Sequence, residues 1–268
     1  MALEERQRLF VLITVILTLV ALGLMVGSLA TDNWIKATAT KSNATASHNY
    51  SRIANMNSTF GLFYGSRSID YGNGIRKQNI TGNTCIVCDS SYCLLFNSSS
   101  ISNSSVRRDK LKDIVNIYNN QTGELYQYGL FPFSLWVVVI IMSAVGMIWA
   151  LVYIGFAIFN ICGKPIETIT GPLGLYLWKG LALLFSLLGM VVYLVLFFQY
   201  YKEGLMPWED QLDDFVSDAD LDFSFYMLMA AFIIFLLNLG FLFLSGIKFS
   251  CGFTREAEKV MDNGIILY

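Results

Sequence analysis

The sequence predicts an all-α transmembrane four-helix bundle with a small extracellular β-sheet from the first outer loop. Three observations carry that prediction. Four apolar runs are long enough for helices to cross a hydrocarbon core, which takes about 20 residues. The 268-residue chain is 55% hydrophobic and 14% charged, against about 25% charged residues in soluble domains. All seven N-glycosylation sequons of the chain lie in one polar stretch between the first two runs, and a sequon can be modified only in the secretory lumen.

The runs are read as spans over residues 9–30, 134–159, 175–201 and 223–247. None holds an acidic residue, and the only internal base is Lys179, placed near one end and expected to snorkel toward the headgroups. The first run is long and lacks a small-residue cleavage site, so it reads as a signal anchor. With residues 31–133 glycosylated outside, the 1–8 N-terminus, the 160–174 loop and the 248–268 tail are expected in the cytosol, and the acidic 202–222 loop outside.

Charge supports this orientation only where the positive-inside rule applies. Ten of the eighteen Lys and Arg residues sit in the large outer loop, but long loops translocate regardless of charge. In the short segments Arg6, Arg8, Lys164, Lys248, Arg255 and Lys259 fall on the cytosolic side. The 202–222 loop sets Lys202 against Glu203, Glu209, Asp210, Asp213, Asp214, Asp218, Asp220 and Asp222. It lacks the ordered spacing of an EF-hand calcium loop and reads as a solvated acidic face.

The first outer loop is too long for a structureless connection. Residues 34–38 and 58–64 are aromatic and β-branched and read as strands, followed by turn formers at Gly65 and at Gly72, Asn73 and Gly74. Two short strands are expected around Asp89-Ser90-Ser91. Leu111, Ile114, Val115 and Tyr118 recur at helical spacing within 106–119, and the Ser- and Asn-rich run 97–105 is expected to be mobile and sugar-covered. The sequons centre on Asn43, Asn49, Asn57, Asn79, Asn97, Asn103 and Asn120.

Cys85, Cys88 and Cys93 lie close together. A structural zinc site wants four ligands and the chain has one histidine, His48, so a disulfide in an oxidising lumen is the better reading. Cys88–Cys93 across a hairpin and Cys85–Cys93 are the two alternatives. Cys162 and Cys251 lie at the cytosolic membrane edges, open to palmitoylation or idle.

No catalytic residues, cofactor-binding residues or metal ligands emerge. One histidine, no G-x-S-x-G, no H-E-x-x-H and no Walker loop leave an enzyme without its usual nucleophile–base pairs. A net charge of −2 and the lack of a basic run leave nucleic acid out. Transport is disfavoured as well, because the deep polar groups amount to Thr14, Thr18, Gln199, Asn238 and some serines. Gly23-x-x-x-Gly27 is a close-packing motif for a neighbouring helix, either internal or in another subunit.

The topology, with Trp34 opening the first loop and Gly61-Leu62-Phe63 following, resembles the claudin and peripheral-myelin-protein group. That likeness implies a small outer sheet over a left-handed bundle. More narrowly, residues 34–38, residues 60–65 and the run Gly163-Lys164-Pro165-Ile166-Glu167-Thr168, followed by Gly171-Pro172-Leu173-Gly174-Leu175-Tyr176, are similar to the clarin family. The long, sequon-rich loop and its cysteine spacing depart from that family's pattern, which points to a divergent or invertebrate member. The resemblance implies a non-enzymatic organiser of plasma membrane or junctions, in sensory cells and linked to actin. An auxiliary subunit of a channel or receptor and a claudin-like adhesion protein are the alternatives, and sugars on the first loop oppose the last.

Two cytosolic elements are expected to meet partners. The 162–175 hinge, with two prolines, cannot be a continuous helical hairpin; Gly163 suits a helix C-cap and Pro172 a helix start. In the tail, a short helix from Thr254 is followed by apolar residues 265–268. Ile266 and Tyr268 there have the alternation a PDZ-type domain would add as a strand.

Overall fold

The computed structural model describes residues 5–41, 55–70, 75–80, 86–95, 104–120, 122–162, 172–202 and 215–244. Five helices and eight strands are formed among them. Four helices are long and apolar enough to cross a membrane: α1 (Glu5–Ala30), α3 (Phe133–Cys162), α4 (Pro172–Leu196) and α5 (Phe223–Leu244). The last turn after α4, Phe197–Tyr201, widens to a π-helix. The remaining helix, α2 (Ser104–Asn120), is amphipathic and belongs to the first loop.

Packing falls into two compact units, one of residues 1–22, 145–186 and 232–268, the other of residues 23–144 and 187–231. In the first, small residues let helices approach. A Cβ built on Gly146 of α3 would stand 3.0 Å from Ser186 Oγ and 3.3 Å from Ser186 N on α4. Ala150 and Ala157 of α3 and Ala182 of α4 are buried as well.

The second unit holds two antiparallel sheets. Strands β1 (Ile35–Lys41), β2 (Asn55–Phe60), β3 (Gly65–Asp70), β4 (Ile75–Ile80) and β8 (Phe215–Leu221) form a five-stranded sheet in the order β4-β3-β2-β1-β8. Side chains alternate as the pleat requires. Ile35, Ala37, Ser58, Phe60 and Ala219 are buried, whereas Lys36, Thr38, Asn57, Asp218 and Asp220 are exposed. Lys36 is registered between Thr59 and Asp220.

The second sheet, β5 (Ile86–Cys88), β6 (Tyr92–Leu95) and β7 (Leu130–Pro132), is covered by α2. Leu94, Leu111, Ile114, Tyr128 and Leu130 form its core, flanked by Val115 and Tyr118. Tyr118 meets Tyr92 and Tyr128 edge-on at centroid distances of 5.8 and 5.6 Å. A 3-10 turn, Leu125–Tyr128, ends on Gly129, whose φ of 69° is left-handed and suits glycine.

Several expectations are corrected here. The sheet is not built from the first outer loop alone: β8, read as a solvated acidic face, pairs along all of β1. Its Asp residues occupy only the exposed row, so an acidic composition hid a strand with period two. The strand expected through Tyr64 stops at Phe60, because Gly61–Tyr64 forms a tight hairpin loop with Gly61 N–H donating to Tyr64 O at 2.7 Å. Gly65, read as a turn former, instead starts β3. Ser104 and Ser105, assigned to a mobile run, begin α2, and residues 97–103 of that run lie outside the described residues.

Candidate functional site

The first unit has a polar cluster with every member at 0% exposure: Thr14, Thr18, Tyr153, Lys179, Phe235 and Asn238. It draws on α1, α3, α4 and α5. Lys179 does not snorkel. It lies two turns inside α4, about 10 Å from the helix start at 1.5 Å per residue, and its Nζ donates to Thr18 Oγ1 at 2.6 Å. The same ammonium sits over the rings of Tyr153 and Phe235, 4.6 and 4.5 Å from their centroids. Aromatic faces stabilise a desolvated cation where no carboxylate is at hand.

The protons in this cluster can be followed. Thr18 Oγ1 donates to Thr14 O at 2.6 Å, so toward Lys179 and toward Asn238 Nδ2, 3.2 Å away, it acts as acceptor. Thr14 Oγ1 donates to Val11 O at 2.7 Å, which makes the Tyr153 hydroxyl the donor in their 2.6 Å contact. Both threonine hydroxyls thus bond back to their own helix and offer lone pairs sideways. The sequence showed the polar residues singly; α1 spacing, with Thr18 one turn beyond Thr14, was the signal that could have joined them.

Beside Lys179, Trp178 stacks between Trp149 and Phe156 of α3, with centroids 5.2 and 5.6 Å away. This ring stack was not anticipated.

In the second unit the motif residues meet around Trp34. Its indole is fully buried, donates Nε1–H to Ser28 O at 2.6 Å, and packs edge-on against Tyr193 and Phe225 at 4.5 and 6.5 Å. Trp34 N–H donates to Phe60 O at 3.0 Å, and Trp34 O accepts from Asp222 N–H at 3.0 Å. One residue therefore ties the end of α1 to β2 and to the start of α5. Ser28 Oγ–H donates to Ser224 O at 2.7 Å, and Thr31 Oγ1 and Ser224 Oγ share a 2.6 Å bond.

Gly61 leaves no room for a side chain, since a Cβ there would stand 2.6 Å from Thr31 O and 2.7 Å from Asp32 Cα. Leu62 is buried, and its carbonyl accepts from Trp136 Nε1–H of α3 at 3.2 Å. Phe63 meets the same indole edge-on at 6.2 Å. The Gly-Leu-Phe element is thus a clamp between loop and spans.

Gly23 and Gly27 do not act as one face. Gly27 packs inside the unit, where an added Cβ would be 2.7 Å from Met227 Cε on α5, while nothing lies within 4 Å of a Cβ on Gly23. Cys88 and Cys93 are disulfide-bonded across the β5–β6 hairpin, where they are direct partners. Cys162 is an exposed free thiol. Of the sequon asparagines, Asn57 is exposed on β2, Asn79 lies on edge strand β4 opposite Ser66, and Asn120 is exposed as the last residue of α2. Pro172 is the first residue of α4. Asn43, Asn49, Asn97, Asn103, Cys85, Gly163, Lys164, Pro165, Glu167, Gly171, Cys251, Ile266 and Tyr268 lie outside the described residues. Among the described residues no group of three or more His, Cys, Asp and Glu side chains is arranged to hold a metal.

Four spanning helices, a disulfide-linked loop region and small antiparallel sheets define a multi-pass tetraspan membrane protein of claudin-like fold. Residues 130–242 match the family model described as Clarin-2-like. The chain is 28% identical to Clarin-1 of Homo sapiens over 145 residues, 51% of this chain and 60% of that protein. It is 26% identical to Clarin-1 of Mus musculus over the same shares. The chain is thus similar to clarins over about half of its own residues and spans about 60% of the length of these relatives.

Proposed function

We propose that this protein is a non-enzymatic scaffold that organises plasma membrane or cell junctions, as the clarin resemblance implies, with sensory cells and actin linkage as its setting. The observation that carries the reading is the Trp34 clamp, which fastens the sheet to the end of α1 and the start of α5 through backbone and indole hydrogen bonds. A sheet fastened to helices suits holding partners in register, and no catalytic constellation stands among the described residues.

In this reading both termini are cytosolic and residues 31–133 lie outside with glycans on the seven sequons. Exposed Asn57 and the Asn79 position on the edge strand then carry sugars on the sheet itself, which opposes tight sheet-to-sheet adhesion. Partners meet the 160–174 loop through Lys164 and Glu167, and the tail through Ile266 and Tyr268 in a PDZ-type groove. Gly23, open along α1, supplies lateral contact with other membrane proteins; Gly27 does not.

Proximity labelling from the cytosolic tail in native tissue tests the proposal. Recovery of actin-linked scaffold proteins, reduced when residues 266–268 are removed, supports it. Recovery of a single pore-forming subunit instead would replace it with the auxiliary-subunit reading.

A further inference from the structure

The polar cluster is incomplete in its hydrogen bonding. Lys179 has three N–H donors and spends one on Thr18 Oγ1; its Nζ also lies over the rings of Tyr153 and Phe235, and no oxygen acceptor for the other N–H groups stands among the described residues. Asn238 spends one Nδ2–H on the same oxygen. Its Oδ1, buried in a residue of 0% exposure, accepts no hydrogen bond from the described residues. A buried amide oxygen left without a donor costs about 1–3 kcal/mol, and native proteins rarely tolerate one.

What fits such a place is set by chemistry. The guest must offer lone pairs to the ammonium and a hydrogen to Asn238 Oδ1. A halide or carboxylate would satisfy Lys179 and leave the amide oxygen facing negative charge. A second cation would satisfy the oxygen and be repelled by Lys179. A hydroxyl does both, accepting from Lys179 and donating to Asn238. Since all six side chains are sealed from solvent, the hydroxyl compound small enough to reside there is water, which typically makes about three hydrogen bonds when buried.

We propose that Lys179 and Asn238 form a binding site for one hydroxyl-bearing guest, an internal water, within the helix seam. The guest hydrates the ammonium inside the bundle and links α4 to α5 through a second path beside Thr18. This site is independent of the scaffold reading, because it concerns how the spans are held and not what they hold.

The test is solid-state NMR on the full chain with 15N-labelled lysine side chains and 13C-labelled threonine, in vesicles of phosphatidylcholine, a lipid without free hydroxyls. The Lys179 resonance is identified by its cross-peak to Thr18 across the 2.6 Å contact. Rapid polarisation transfer from water protons to Lys179 Nζ is expected, despite its burial. Transfer that appears only after a long-chain alcohol is added overturns the assignment of the guest to water. Loss of transfer in both preparations, with the Thr18 cross-peak intact, overturns the proposal. An Asn238→Leu protein that keeps that cross-peak should lose the transfer; retention there would equally refute a role for Oδ1.

Discussion

Replacing Thr18 by Val keeps the shape of the side chain and deletes one oxygen. That oxygen is the sole lone-pair acceptor for Lys179 among the described residues, at 2.6 Å, and it also receives Asn238 at 3.2 Å. The two losses differ in size. Neutral interhelical bonds in membranes average about 0.6 kcal/mol, so the Asn238 bond is a minor contribution. Stranding a buried ammonium is worse, and a total of about 2–3 kcal/mol is expected. For a chain of this size that lowers the melting temperature by roughly 5–10 °C. The informative comparison is with Lys179→Met, which removes the charge and puts apolar volume in its place; such exchanges are often neutral. In the Lys179→Met background, Thr18→Val should cost about 1 kcal/mol or less, because only the neutral bond remains. Tryptophan-fluorescence melting of the four proteins in one detergent measures the cycle. Additive effects, or a Thr18→Val protein as stable as the parent, would show that Lys179 does not depend on Thr18.

Other outcomes follow from the second unit and the proposed topology. Gly61→Ala forces its new Cβ on backbone atoms of Thr31 and Asp32 at 2.6 and 2.7 Å, so a loss of about 1–3 kcal/mol is expected, read as reduced surface delivery; normal delivery and melting would contradict the close approach. Trp34→Phe removes the indole donor to Ser28 O while keeping an aromatic ring and, with Thr31 Oγ1 still 3.2 Å from that oxygen, should cost about 0.5–1.5 kcal/mol, the net worth of one hydrogen bond, read as a lower melting temperature. Cys88→Ser opens a short loop whose closure entropy is worth about 2 kcal/mol, and should quicken proteolysis near the β5–β6 hairpin. Glycosidase treatment should collapse the protein toward its 30.1 kDa polypeptide mass; unchanged mobility would defeat the outer assignment of the 31–133 loop.

The bundle was the most legible part, because a membrane span advertises itself by length and composition without reference to its neighbours. The α2 helix was legible for a related reason: Leu111, Ile114, Val115 and Tyr118 show one apolar face at helical spacing, and that face does pack. The hairpin of Cys88 and Cys93 was one of two pairings the residues allowed. What stayed hidden required knowing which distant segments meet. Strand β8 was masked by Asp218 and Asp220, whose charge dominates composition although it occupies only the exposed row. Lys179 was misplaced because a base near a span's end has two solutions, water at the surface or an acceptor inside. Only packing reveals that Thr18 supplies the second.

The pairing of β1 with β8 also sets a clock on biosynthesis. Roughly 170 residues separate the two strands, and at 5–20 residues per second their synthesis takes about 10–30 s. Throughout that interval two further spans must enter the membrane while one side of β1 waits with its backbone donors and acceptors unmatched. An unpaired strand edge invites association with other chains. On the proposed topology this edge stands in the lumen, where folding factors and lectin chaperones survey nascent glycoproteins. Maturation of the sheet is thereby tied to delivery of the last loop, and a defect in the third or fourth span would be registered far away in sequence, as a first loop that never closes.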